Sequence, residues 1–199
     1  MKYPTAVSEH CFEEKRSRFI TELLPANSEA DIKTRISQLK TQHPKASHVC
    51  SAFRLNINDQ IQEGFSDDGE PSGTAGMPML KVIRHHQLIN CAVLVTRYFG
   101  GIKLGMGGLQ RAYGQACSNA IMEAQHQLSE LKKTRYLTLS ADFHQENSVR
   151  HLANQFNNST IQIDYHARGL DIVISVEDDD YATIRERFIQ QNFQLKSPD

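Results

Sequence analysis

Two polar stretches near the middle of the chain hold the residues whose types and spacing could do chemistry. The first, FSDDGEPSGTAGMP (65–78), gathers Asp67, Asp68 and Glu70 with Ser66, Ser72 and Thr74 among glycines. Carboxylates this close could act as a general base or hold a metal, and His48 could complete a hydrolytic set. The second, TRYFGGIKLGMGGLQRAYGQA (96–116), carries Gly100, Gly101, Gly105, Gly107 and Gly108 with Arg97, Lys103 and Arg111 spaced around them. Glycines let successive backbone N–H groups converge, and a helix beginning near Gly107 would add partial positive charge. With the cations, that arrangement would receive phosphate. Each stretch also has a purely structural explanation. Asp and Ser at a glycine turn commonly cap backbone amides, and the cations could pair with Asp67, Asp68 and Glu70.

Neither stretch fits a familiar nucleotide or nucleophile device. A P-loop needs lysine after the glycine at its end, but Met106 follows Gly105. A GxGxxG fingerprint starting at Gly105 meets Gln110 at its last position. A nucleophile elbow at Ser72 would need glycines where Glu70 and Thr74 stand. His85 and His86 are adjacent, so on a helix they point about 100° apart and cannot readily share a metal. No metal and no cofactor is expected.

The elements that must position these stretches read as follows. RFITELLPA predicts a strand ending at Pro25, and Ser28 an N-cap for a helix with Ile32, Ile36 and Leu39 on one face. SHVCSAFRLNI and QIQEGFS predict two strands joined by an Asn58-Asp59 turn. A short helix is expected from Met77 to Arg84, and CAVLVT (91–96) as a strand covered on both faces. Leu109, Ala112, Tyr113, Ala116, Cys117, Ala120, Ile121 and Ala124 follow helical spacing throughout. Gly114 inside that helix costs about 1 kcal/mol relative to alanine, which suggests close packing against another backbone. The apolar pattern breaks across 126–135, giving domains of 1–131 and 132–199. Beyond it the order β-α-β-β-α, with FQL as a possible closing strand, predicts a ferredoxin-like α+β sandwich. The acidic 177–180 run would open its last helix, where carboxylates favour the dipole.

Composition bounds the class. The chain has 199 residues, 39% hydrophobic, with a net charge of −1, as in a globular protein. No stretch approaches the roughly 20 apolar residues of a membrane helix. The first residues lack a signal-peptide core, and the four cysteines show no CxxC. A cytoplasmic location, no membrane partner and free, buried thiols are the expectations. The charge is unevenly placed: residues 71–122 contain Lys81, Arg84, Arg97, Lys103 and Arg111 but no Asp or Glu. Such a block suggests a surface that receives negative charge, unless its residues are simply core.

SDDGEPSGTAGMPML and VLVTRYFGGIKLGMGGLQRAY, spanning 66–113 with little interruption, closely resemble the signature of the IMPACT family in its bacterial, YigZ-like branch. SHVCSAFR, with His48 and Arg54, also looks familial. The resemblance implies an N-terminal β-α domain like those of several ribosomal proteins and the fourth domain of elongation factor G. It further implies a C-terminal domain similar to that factor's ferredoxin-like fifth domain. Eukaryotic members regulate translation through an initiation-factor kinase and carry an additional RWD domain, for which this chain has no room, so that role does not transfer. Two functions follow as expectations. The first is a non-enzymatic module binding RNA or the ribosome, with Arg84, Arg97, Lys103 and Arg111 on phosphates and Tyr98 or Phe99 stacking on a base. The second is a hydrolase or nucleotide-dependent transferase with its site between the 66–76 and 97–111 loops. A monomer is the expected oligomeric state.

Overall fold

The computed structural model describes residues 1–57, 60–156 and 159–196, so the Asn58-Asp59 turn lies outside the described residues. The fold is mixed α/β, and the chain forms two units, Met1–Leu131 and Lys132–Asp199.

The first unit runs β1 (Lys2–Pro4), β2 (Ser8–Glu14), β3 (Ser17–Pro25), α1 (Glu29–Gln42), β4 (His48–Ile57), β5 (Gln60–Ser66), α2 (Gly76–His85), β6 (Cys91–Tyr98), α3 (Met106–Glu123) and β7 (Leu128–Glu130). Its main sheet is antiparallel, in the order β2-β3-β6-β4-β5. Alternate residues of each strand face opposite sides. Phe19, Leu23, Cys50, Ala52, Val93 and Val95 meet α2 and α3 through Met79, Ile83, Tyr113 and Ala116. Leu24, Val49, Leu55, Ala92 and Leu94 meet Ile32 and Leu39 of α1 on the other side. That two-sided cover explains why β6 is an unbroken apolar run. Ser28 caps α1 as expected, its Oγ accepting the Asp31 N–H at 3.2 Å.

Three strands escape the apolar pattern. β2 alternates half-buried and exposed positions, but only Phe12 on its inward side is strongly apolar. β1 and β7 are three residues each and pair with one another, so the polar 126–135 stretch contributes one strand of a short ribbon with the chain's N-terminal residues. The cysteines also divide: Cys50, Cys91 and Cys117 are buried, whereas Cys11 on edge strand β2 is exposed.

The second unit runs β8 (Thr134–Ala141), α4 (Glu146–Ala153), β9 (Thr160–His166), β10 (Gly169–Glu177), α5 (Asp178–Gln190) and β11 (Gln194–Leu195). Its antiparallel sheet has the order β11-β8-β10-β9. Leu137, Leu139, Ile172 and Ile174 meet Val149 and Leu152 of α4 and Ile184 and Phe188 of α5. Asp178, Asp179 and Asp180 occupy the first turn of α5, where carboxylates oppose the positive helix end. Among the described residues, no helix is long and apolar enough to cross a membrane.

Candidate nucleic-acid interface

The loop between β5 and α2 engages every one of its carboxylates. Helix α2 starts after Ala75, which has no side chain able to cap it. Asp67 does so from eight residues earlier, with Oδ1 accepting the N–H groups of Ala75 (3.0 Å) and Gly76 (2.8 Å). Its Oδ2 accepts that of Gly73 at 2.7 Å, which closes the loop. Asp68 stands at a φ of +45°. Its carboxylate accepts the Val49 N–H at 2.7 Å and the Lys40 ammonium at 2.6 Å. The Asp68 carbonyl accepts Nδ1–H of His48 at 2.8 Å.

Glu70 is buried and forms an ion pair with buried Arg97, whose Nη1 lies 2.6 Å from its Oε1. The Tyr113 hydroxyl donates to the same oxygen at 2.8 Å. Arg97 also donates from Nη2 to Ser17 Oγ at 3.2 Å, with the rings of Phe19 and Phe99 at 5.5 and 5.6 Å from its Cζ. The Cys50 sulfur lies 3.3 Å from the Tyr113 oxygen. Burial pushes the Cys50 thiol up to about 12, and burial likewise raises Tyr113, so neither supplies an anionic nucleophile at neutral pH. Asp67, Asp68 and Glu70 thus point to three different tasks. Among the described residues, no three His, Cys, Asp or Glu side chains form a group that could hold a metal.

The glycine loop between β6 and α3 is the counterpart. A Cβ on Gly100 would sit 2.0 Å from the Arg16 carbonyl oxygen, so the bare backbone is what lets this loop lie on the β2–β3 turn. The N–H groups of Phe99 and Gly100 donate to Ser47 and Ser17 hydroxyls, each at 3.3 Å. Gly105, at a φ of +74°, precedes α3, whose start has no side-chain cap and no acid in its first turn. Lys103 and Arg111 are exposed, and among the described residues neither has a hydrogen bond or ion pair. The same holds for Lys81 on α2 and for Lys15 and Arg16 at the β2–β3 turn.

The residues expected to bind anions therefore separate. Lys103 and Arg111 stand free beside the bare start of α3. Arg97 is buried in an internal pair, so it holds the loops instead of facing a ligand. Arg84 is exposed but tied to Glu63, which Arg54 also contacts at 2.8 Å. The hydrogen bond from Arg84 is the main cause that holds the Glu63 carboxyl below its ordinary 4.5. Tyr98 lies half-buried with its hydroxyl 2.9 Å from His43 Nδ1. Phe99 is 48% exposed and so is not a core residue. Lys81, Lys15 and Arg16 join the free cations without having been singled out as binding residues. Lys81 could have been found by its place off the buried Met79, Leu80 and Ile83 stripe of α2.

Residues 15–121 match the family model of the Impact N-terminal domain. The chain is 45% identical to the IMPACT family member YvyE of Bacillus subtilis over 135 residues, covering 68% of this chain and 61% of that protein. It is 39% identical to the IMPACT family member YigZ of Escherichia coli over 156 residues, covering 77% and 74%. A crystal structure of a hypothetical protein superposes with a TM-score of 0.75 at 31% identity, covering 100% of this chain and 97% of that one. A two-unit α/β chain with one matched loop pair and this similarity belongs to the IMPACT family.

Proposed function

We propose that the chain is a cytoplasmic, non-enzymatic module that binds RNA through the cationic end of its first unit and works with the ribosome or the translation machinery. One observation carries this reading. Among the described residues, Lys81, Lys103 and Arg111 stay free in a block without acids, while the neighbouring Asp67, Asp68 and Glu70 are all engaged internally. Free cations beside exposed backbone amides recruit phosphate oxygens and release counterions, which supplies sequence-independent affinity. Exposed Phe99 offers a face on which a base can stack. The β-α-β-β-α-β order and the β11-β8-β10-β9 sheet support a ferredoxin-like second unit. Together with the factor-like domain pair that the family resemblance implies, this favours a partner in translation over an isolated transcript. The hydrolase or transferase alternative loses its proposed base and metal ligands to the internal contacts.

The test is anisotropy of a labelled oligouridine with the full chain at several salt concentrations. Three phosphate contacts on a single strand give a log–log salt slope of about −2, or roughly a 15-fold loss between 50 and 200 mM. Lys103→Glu with Arg111→Glu should abolish measurable binding and leave the circular dichroism spectrum unchanged. Absence of binding by the wild type at low salt, or equal binding by the double variant, would sink the reading.

A further inference from the structure

A groove of about 380 Å³ runs between α2 and the N-terminal half of α3. Met77, Pro78 and Lys81 line it from α2, and Gly107, Gln110, Arg111 and Gly114 line it from α3, with the Gln110 side chain held at one end by donating to the Gly73 carbonyl at 3.3 Å. Gly107 and Gly114 stand apart from the rest. The other nine of the chain's eleven glycines either have a positive φ or would place a Cβ within 3.0 Å of a neighbour. At Gly114 the nearest atom to an added Cβ would be Val82 Cγ2 at 4.0 Å, and at Gly107 only Arg111 Nη1 at 3.7 Å. Alanine would be the better helix residue at both places, and neither backbone angle nor packing forbids it. What the missing side chains do is keep the groove open. No Asp or Glu lines it, and among the described residues its two cations have no hydrogen-bond or ion-pair partner.

We infer that this groove takes one unstacked nucleotide of a single-stranded RNA, with the base against Gly107 and Gly114 of α3 and its flanking phosphates on Lys81 and Arg111. The inference rests on the RNA-binding reading above and adds to it the place and the strandedness. The volume lies near the low end of small-ligand sites, which suits one nucleotide and no more. Bare peptide planes with Met77 and Pro78 offer a mostly apolar surface to the face of a base, and cations from the two helices meet the backbone on both sides. A duplex cannot enter, because its bases are stacked on one another.

The experiment compares a labelled 12-nucleotide oligouridine with a 12-base-pair RNA duplex, using the full chain at 50 mM salt. Wild type should bind the single strand at least tenfold more tightly than the duplex. Gly114→Leu, which fills the groove, should lose that preference, weakening single-strand binding tenfold or more with duplex binding within twofold. Gly114→Ala keeps the fold if leucine does not, and should weaken single-strand binding about threefold with an equal or higher Tm. A folded variant of either kind that binds oligouridine like the wild type would overturn the groove and leave the RNA-binding reading standing. A wild type that binds neither probe would remove that reading and the groove with it.

Discussion

The two loops of the first unit are neighbours with opposite fates. Between β5 and α2, three carboxylates are each spent on an internal contact: backbone amides for Asp67, a strand amide and Lys40 for Asp68, Arg97 for Glu70. Lys103, between β6 and α3, and Arg111, in the first half of α3, have no such contact among the described residues. Both loops are nevertheless fastened near one point, since Arg97 holds Glu70 directly and shares Ser17 Oγ with the Gly100 N–H. The difference teaches that a cluster of charged side chains becomes a candidate site only after its internal partners are subtracted. By that measure the acidic loop is scaffold and the basic loop is surface.

Breaking the shared fastening should have the largest effect. Arg97→Ala leaves Glu70 buried without its counter-ion and should destabilise the first unit by about 3–5 kcal/mol in urea unfolding. A result near zero would mean that the acidic loop is not held from within. Asp67→Ala removes the acceptor of three backbone N–H groups and should lose about 2–3 kcal/mol. The contrasting substitutions Lys103→Ala and Arg111→Ala should stay within about 0.5 kcal/mol, as for exposed side chains without partners. If these two sets proved equal, the distinction between scaffold and surface would collapse.

A pH-dependent effect, well below those of Arg97 and Asp67, concerns Glu63, the acid that ties Arg84. Its folded-state pKa lies below the ordinary 4.5, chiefly through the Arg84 hydrogen bond. A depressed carboxylate contributes stability above its unfolded pKa and loses it as pH falls through the folded value. Wild type should therefore exceed Glu63→Gln by at most about 1 kcal/mol at pH 7. Tm measured on both proteins from pH 7 downward should converge below pH 4.5. A gap that persists there would show that Glu63 acts by packing and not by charge.

Much of the fold was legible because burial leaves a periodic trace. β6 showed as a continuous apolar run, and the Leu109-to-Ala124 stripe showed α3, since each faces core along its whole length. β2 and the β1–β7 ribbon left no such trace, being an edge and two three-residue strands held by backbone pairing. The acid-free block was equally visible, but pairing was not. Glu63 on β5 finds Arg84 on α2 from 21 residues away, and Glu70 in the loop finds Arg97 on β6 from 27, across elements whose packing no local pattern encodes. Gly114 shows the converse failure. A glycine within a helix suggests close packing against another backbone, whereas the nearest atom an added Cβ would meet is a side-chain one, Val82 Cγ2, at an ordinary contact distance of 4.0 Å.

The order of strands across the main sheet has a consequence for how the chain is made. β6 lies at the centre, yet it is the last of the five strands in sequence, and its pairing of Arg97 with Phe19 joins positions 78 residues apart. Before it is synthesised, β2–β3 and β4–β5 are two separate hairpins, each with an unpaired inner edge. Such edges invite pairing with other chains, and closing them through distant contacts is slow. Completion of Cys91–Tyr98 therefore acts as a keystone for the nascent chain: the sheet does not grow strand by strand but shuts in one late step.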